Sequence, residues 1–490
     1  MVAAQRNGDL PHAASADVIV VGAGGAGMAA ALTAAEAGAK VLILEQLSGP
    51  DGTTSRAVGS FAAAATSLQR RAGIADTAGD FAEDMAKAHA LAVGAPELRA
   101  MYAEHSGETV DWLESLGVAF VGPYPEPPNR VPRMHNAVPN GKAYLQAMEA
   151  RAKRLPIRIV YDAPVTGLIR QYGAVVGVNY RQGTQTLPAT APAVIMAAGD
   201  FSASDELRGR YVSPAAAAAL PINPHSLGTG HSLLIDAGAD MRQMDMLFGP
   251  QLRFAAPSRD SWINRLPRWR WFRKLAALAV ASAPRWAIAP VVRELLISNM
   301  SPVPALFEQG AHLIDKAGND LGSGPGAVDA LAMAPGCAGY VLGSGALADR
   351  FNRFPNYVST APGIAFAYFR DYESGRPDLV HRAPSLADLA RRLGLDPAAL
   401  ARRFPQFAQG PVFALGPVMA MLTVTEGGAA VDTQCRILTA DGTPIPGLFG
   451  AGGTGQGGLV LKGHGLHIGW AITSGRMAGR TAAGLALSAK

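Results

Sequence analysis

The chain has 490 residues, of which 49% are hydrophobic and 17% charged, with 56 glycines; this balance fits a loop-rich α/β enzyme and argues against a disordered chain. Its length exceeds what one hydrophobic core usually organises, so two domains are expected, one inserted into the other. A formal charge of +5 over this length argues against a nucleic-acid partner, and Cys337 and Cys435, far apart and without Cys or His at ligand spacing, argue against a disulfide or a metal site.

From Met1 to Ser15 the chain carries Arg6, Asp9 and Pro11 and no apolar core, so it does not read as a secretory signal and a cytoplasmic location is expected. Asp17 to Val21 is an apolar, β-branched run that reads as a buried strand. It leads into Gly22-Ala23-Gly24-Gly25-Ala26-Gly27, an Ala-rich helix from Met28 to Ala37, a stop at Gly38, and a second strand from Lys40 to Leu44 closing on Glu45. A G-x-G-x-x-G turn between strand and helix serves a dinucleotide. Gly22 makes the tight turn, Gly24 admits backbone amides to a pyrophosphate, and Gly27 lets the helix pack on the strand. Glu45, 18 residues after Gly27, stands where a carboxylate accepts hydrogen bonds from a ribose diol, with Gln46 beside it. Gly52-Thr53-Thr54-Ser55 and Val58-Gly59-Ser60 offer small side chains and hydroxyls to a further stretch of cofactor.

Further along, Gly122 to Pro132 is Pro-rich, Lys142 to Ala152 reads as helix, and Val165 to Tyr180 has a strand pattern. From about 241 to 375 the α/β rhythm is lost and the sequence is aromatic and basic, as in a cap over a cofactor. Leu386 to Leu400 has helical spacing, with Asp396-Pro397 starting a second helix. Pro446 to Gly452 reads as turn, strand and Gly-rich turn. Gly463-His464-Gly465-Leu466-His467-Ile468-Gly469 then precedes a final helix from Trp470 to about Ala483. Glycine-rich sites at both ends fit an extended FAD better than NAD, with the pyrophosphate at the first helix and the flavin at the last.

These motifs resemble those of the FAD-dependent oxidoreductases grouped with the fumarate reductase and succinate dehydrogenase flavoproteins, which include the 3-ketosteroid dehydrogenases. The resemblance covers most of the chain. It rests on Val20 to Gly27 with Glu45, on Gly52 to Ser60, on Val194 to Gly199, and on Gly228-Thr229-Gly230 before Gly238-Ala239. Glu426-Gly427-Gly428, Asp441 to Leu448 and Gly475-Arg476-Met477-Ala478-Gly479 complete it. It implies an α/β fold, with a Rossmann-like FAD-binding domain of glutathione-reductase type in two parts, residues 1–240 and 376–490, around an inserted α+β cap or substrate domain, residues 241–375. It also implies cofactor contacts from Gly22, Ala23, Gly24, Gly25, Ala26, Gly27, Glu45, Gln46, Gly52, Thr53, Thr54, Ser55, Gly59 and Ser60. Others come from Val165, Ala198, Gly199, Gly452, Gly463, Gly465, Leu466 and Ile468. Members that attach FAD covalently use a histidine after the first strand pair; none occurs between His12 and His89, so FAD is expected to be non-covalent.

Where fumarate reductases carry Arg-Leu-Gly-Gly-Asn and ketosteroid dehydrogenases Tyr-Pro-Gly-Pro-Gly, this chain has Leu461-Lys462-Gly463-His464-Gly465. The two glycines match the ketosteroid pattern, and the Tyr position falls on Leu461. The resemblance implies hydride transfer to or from flavin N5 at a CH–CH bond next to a carbonyl in a hydrophobic, cyclic, steroid-like substrate, with an unidentified electron donor or acceptor. The alternatives are an oxidase of a C–OH or C–N bond, a fumarate-reductase-like enoate reductase, and a flavoprotein whose FAD is structural. Candidates for acid, base or anion binding are His464 and His467, which flank Gly465, then Lys462, Glu426 and Tyr340. Against these stand packing for the histidines, a solvated loop lysine, a turn residue and a core tyrosine. His135 has reach to a substrate or sits on a surface loop.

One segment has an unusual composition. Ser261 to Arg293 holds four of the six tryptophans and seven Arg or Lys, with no Asp or Glu, around the short apolar run Leu275 to Ala283. That is the composition of an element resting at a membrane surface, and the alternative is an ordinary folded cap. The run has nine residues and cannot span a bilayer, which takes about 20.

Overall fold

The structure is a computed structural model that describes residues 14–88, 94–257, 297, 301–361 and 365–488. Residues 261–293 therefore lie outside the described residues.

Val18–Val21 runs down the middle of a six-stranded sheet, parallel to Val41–Leu44 on one side and to Ala193–Met196 on the other. Ile157–Val160 and Pro444–Gly450 extend the sheet in the same direction, and Arg436–Leu438 closes one edge antiparallel. Helices or strands cover both faces, so every residue of Val18–Val21, Val41–Leu44 and Ala193–Met196 is buried. This explains why these strands read as continuous apolar runs rather than as alternating ones.

The helix Gly25–Glu36 joins the first two of these strands, and the helix Leu466–Ser488 lies directly against it. A Cβ on Gly475 would stand 2.3 Å from the Ala26 carbonyl oxygen, and one on Gly479 would stand 2.2 Å from that of Ala30. Only glycine allows the two backbones this close. The last helix begins four residues before the expected Trp470, which puts His467 in its first turn instead of the preceding loop. The helix Lys142–Ala152 forms at the expected residues.

A second, seven-stranded sheet is centred on the long strand Val412–Leu422, which pairs with Ala338–Ser344, Gln251–Phe254, Val380–Ala383 and Leu220–Pro221. On one face Phe413, Leu415, Val418 and Ala420 join Leu252, Phe254, Leu313 and Val341 in a core. On the other, Ala414, Leu342 and Ile314 meet Leu386 and Leu389 of the helix Leu386–Leu393 and Leu400 of the helix Pro397–Arg403. Asp396 caps that second helix by accepting from the Ala398 N–H. Residues 380–422, expected in the FAD-binding part, thus contribute two strands and two helices to the second sheet. Helical spacing and apolar runs identify the type of element and leave open which sheet it joins.

Two short ladders connect the sheets. Met241–Arg242 pairs with Gly428–Ala429, and Leu247–Phe248 pairs with Val424–Thr425. No helix among the described residues is long and apolar enough to cross a membrane.

Candidate functional site

The Gly-rich turn after Val21 is tight for steric reasons. Gly22 has φ +103°, and a Cβ there would stand 2.5 Å from the Ala197 carbonyl oxygen; one on Gly27 would stand 1.9 Å from that of Gly22. Gly24, the N-cap of the helix Gly25–Glu36, differs: the nearest atom to a Cβ there is the Asp51 carbonyl oxygen at 3.8 Å, and no side chain caps the helix. Uncapped N–H groups facing open space at a helix N-terminus are what a pyrophosphate requires. Glu45 is buried, and its carboxylate accepts from the Ala23 N–H at 2.6 Å and the Leu47 N–H at 2.9 Å. Burial raises its pKa and the backbone donors partly offset this. The structure thus shows a second task for Glu45, holding the turn to the second strand. Its carbonyl accepts from the Ala163 N–H at 2.8 Å and so draws in the start of the Val165–Gln171 strand.

The single turn Thr53–Arg56 leans on the same glycines. A Cβ on Gly52 would lie 3.7 Å from Gly24 Cα, and one on Gly25 would lie 2.6 Å from Thr54 Oγ1. Ser55 donates to Asp51, Thr53 Oγ1 accepts from Asn223 at 3.2 Å, and Gln46 donates to the His225 carbonyl at 3.0 Å. Ser60 donates to Asn136 at 2.6 Å, beside Gly59, where a Cβ would stand 2.8 Å from the Asn140 carbonyl carbon. The turn Gly452–Gly455 packs on the Ala198-Gly199 turn: Thr454 donates to the Gly199 carbonyl at 2.8 Å, and Trp470 Nε1 donates to that of Gly452 at 3.1 Å. A Cβ on Gly199 would meet nothing within 4 Å. Gly465, at φ +84°, accepts from the Ala62 N–H at 3.1 Å, which seats the loop with Gly463 next to the Ser60–Ala62 strand and turns Leu466 and Ile468 inward. Open space over Gly24 and Gly199, between turns from both ends of the chain, fits an extended dinucleotide.

One acid–base pair stands at this junction. His467 Nε2 lies 2.7 Å from Glu426 Oε1, and the ring is 6.1 Å from that of Phe248. Glu426 is 2% exposed, and its other oxygen accepts from Gln456 and from the Leu461 N–H at 3.2 Å. Burial pushes the His467 pKa down, but the Glu426 carboxylate, helped by Asp200, pushes it up further, so the net shift is upward. Asp200 is buried with its own pKa raised by burial, and accepts from the Thr425 N–H at 3.0 Å and Ser202 at 3.2 Å. The pair can hold a proton on His467 and deliver it.

His464 is placed differently. Its side chain is more than half exposed, and both its ring Nδ1, at 2.5 Å, and its N–H, at 2.8 Å, meet Glu126 of the Pro-rich segment. Glu126 raises its pKa, against burial and the nearby Arg253. Lys462 is exposed. Tyr340 is not brought to this pair: it packs in the cluster of Ile314, Leu342 and Leu386, edge-on to His381. His135 is fully buried on the strand Met134–Val138, not on a surface loop, 3.0 Å from Thr66 Oγ1, with burial holding its pKa down to about 4. Sequence reasoning missed Glu126, Asp200, Phe248, Arg253 and Gln456. Asp200, a carboxylate directly after a buried strand and its glycine turn, carried a readable signal; the others have meaning only in three dimensions.

Residues 17–254 and 307–460 match the FAD binding domain family. The chain belongs to that family. This flavoprotein is an FAD-dependent oxidoreductase, related to the fumarate reductases. It is 26% identical to digoxin reductase of Eggerthella lenta over 96% of this chain and 87% of that one. Its fold matches the open conformation of a flavocytochrome c3 fumarate reductase with a TM-score of 0.72 at 23% identity, over 97% of this flavoprotein and 79% of that chain. It also matches 3-ketosteroid delta1-dehydrogenase from Sterolibacterium denitrificans, solved with 1,4-androstadiene-3,17-dione, with a TM-score of 0.67 at 17% identity over 97% and 100% of the two chains.

Proposed function

We propose that this flavoprotein reduces, or in reverse forms, a C=C bond next to a carbonyl in a hydrophobic, cyclic substrate. In this reading the six-stranded sheet is the Rossmann-like FAD-binding body, and the seven-stranded sheet, reached through the Leu247–Phe248 and Val424–Thr425 ladder, is the cap. Gly22 to Gly27 and the first helix would hold the pyrophosphate, Glu45 the ribose, and the Gly452–Gly455 and Gly463–Gly465 turns the ribityl chain and ring, without a covalent bond. The bound flavin would supply or take up a hydride.

The observation that carries the reading is the pair of buried Glu426 and half-buried His467 beside Phe248. His467, kept protonated by Glu426, gives its proton to the carbon next to the carbonyl in reduction and takes it back in dehydrogenation. The apolar ring of Phe248 bounds the same space and favours a hydrophobic substrate over a small dicarboxylate. The reductase named among the relatives and the ketosteroid dehydrogenase named among the structural neighbours support the same bond type.

Anaerobic mixing tests it. The reduced holoprotein should regain flavin absorbance with a cyclic enone such as cyclohex-2-enone or 4-androstene-3,17-dione. Reoxidation by fumarate alone would replace the reading with dicarboxylate chemistry. Prompt hydrogen peroxide from an alcohol or amine would replace it with an oxidase.

A further inference from the structure

Resting on that reading, we propose that Asp200 is a positioning residue for the Glu426–His467 pair: with the Phe201 N–H it clasps Thr425 and so fixes where Glu426 stands. Asp200 follows the glycine turn that ends the Ala193–Met196 strand of the six-stranded sheet. Thr425 belongs to the short Leu247–Phe248 and Val424–Thr425 ladder between the sheets. The two residues are 225 apart in sequence and meet through two hydrogen bonds.

Neighbouring N–H groups on a strand point to opposite edges. The Glu426 N–H turns into the ladder and donates to the Met246 carbonyl at 2.9 Å. The Thr425 N–H, one residue earlier, turns out of it and donates to Asp200 Oδ2 at 3.0 Å, while the Phe201 N–H donates to Thr425 Oγ1 at 3.2 Å. The outer edge of the ladder, where a further strand would pair, is thus filled by one carboxylate and the backbone beside it. Asp200 and Thr425 are both buried. Asp200 is itself held: Ser202 donates to its other oxygen at 3.2 Å, and a Cβ on Gly453 would stand 3.3 Å from Asp200 Cβ, so the Gly452–Gly455 turn backs the side chain.

Glu426 is consequently fixed through its own N–H, through the residue before it, and through the carboxylate oxygen that Gln456 and the Leu461 N–H share. Its remaining oxygen faces His467 at 2.7 Å. A carboxylate suits the clasp because it only accepts, and its charge-assisted bond to an N–H is roughly twice as strong as a neutral one. If the clasp opens, Thr425 can drift from the turn and carry Glu426 away from the imidazole, and proton transfer depends steeply on such placement. Asp200 also acts on the His467 ring by its charge, as Glu426 does.

Two substitutions separate clasp from charge. Asp200→Asn removes the charge and keeps an oxygen for the Thr425 N–H, with its amide donating to Ser202; Asp200→Ala removes charge and clasp together. The FAD-loaded proteins are isotope-labelled at histidine Cε1, and the His467 signal, assigned by its absence from His467→Gln, is titrated by NMR. The proton affinity of His467 should fall by about threefold in Asp200→Asn and by about tenfold more in Asp200→Ala. Reoxidation of the chemically reduced protein by cyclohex-2-enone should be about 10–100-fold slower in Asp200→Ala than in Asp200→Asn, with enone affinity little changed. Should Asp200→Ala lose its flavin, Thr425→Val and Thr425→Ser carry the comparison: valine removes the acceptor of the Phe201 N–H, serine retains it, and only valine should shift His467. Coincident titrations of Asp200→Asn and Asp200→Ala would overturn the clasp, as would an Asp200→Ala protein that melts earlier with His467 unmoved. The titration involves no enone, so a wild type that the enone fails to reoxidise would overturn the C=C reading alone.

Discussion

Glu426→Gln isolates the charge that keeps His467 protonated. The amide keeps the shape of the carboxylate, 2.7 Å from His467 Nε2, but not its charge. Two opposing effects act on the imidazole in the wild type, burial lowering its pKa and Glu426 raising it, and the second prevails. With Gln at 426 burial is opposed only by the more distant Asp200, so the pKa should fall below that of an ordinary histidine. Removing one partner of a buried pair costs about 3–5 kcal/mol where it strands a charge. His467 can shed its proton, so the loss of stability should be nearer the about 1.5–3 kcal/mol of a charged hydrogen bond. The sign follows from the raised pKa. The stabilisation is full below the unfolded histidine value and fades as pH rises through the folded one, so wild type and variant should differ most on the acid side and converge above it. In stopped-flow enone reduction, the limb where rate falls with rising pH should move to lower pH, and the rate at neutral pH should drop about 10²–10⁴-fold with FAD still bound. A flavin-loaded variant whose limb stays in place would refute the argument.

Three other perturbations give separate checks. Gly475→Val should push the last helix off the first, because a Cβ there already stands 2.3 Å from the Ala26 carbonyl oxygen; thermal unfolding should show a loss of about 1–3 kcal/mol or more, with release of flavin. Glu45→Ala should cost the Ala23 and Leu47 backbone contacts and, with them, the ribose contact proposed above, raising the FAD dissociation constant by about 10–100-fold in equilibrium dialysis. His464→Ala should slow enone reduction much less than His467→Ala, because His464 is largely exposed and tied to Glu126; equal losses in single-turnover kinetics would return it to the acid–base role.

The parts of this molecule that were legible beforehand are those whose meaning is local. Gly22 to Gly27 and Glu45 are close in sequence, and the steric demand on each glycine follows from the strand and helix it joins. Glu426 and His467 were each candidates, but their pairing across 41 residues was not readable, and neither was that of His464 with Glu126 across 338. Val412–Leu422 carries Gly416-Pro417 in its middle, which in sequence argues against a central strand; that it runs down the middle of the second sheet depends on partners as distant as Gln251. Tyr340 shows the converse. Its residue type suits proton transfer, and only the packing with Ile314 and Leu386 places it in another cluster.

The contact between the first and last helices also bears on how the chain comes off the ribosome. Val18–Val21 and Ala193–Met196 are made early, yet the strand that covers the outer side of Ala193–Met196 is Pro444–Gly450, and the helix that seals Gly25–Glu36 is Leu466–Ser488. At about 5–20 residues per second, the open edge of a fully apolar parallel strand waits many seconds for its neighbour. In that interval the edge is without the neighbour it has in the folded protein and is open to pairing with another nascent copy. Cofactor present during synthesis cannot rescue the early half, because the turns that would grip its far end have not yet been made. Soluble yield should therefore depend more on slower, cooler expression or on chaperones than on added riboflavin.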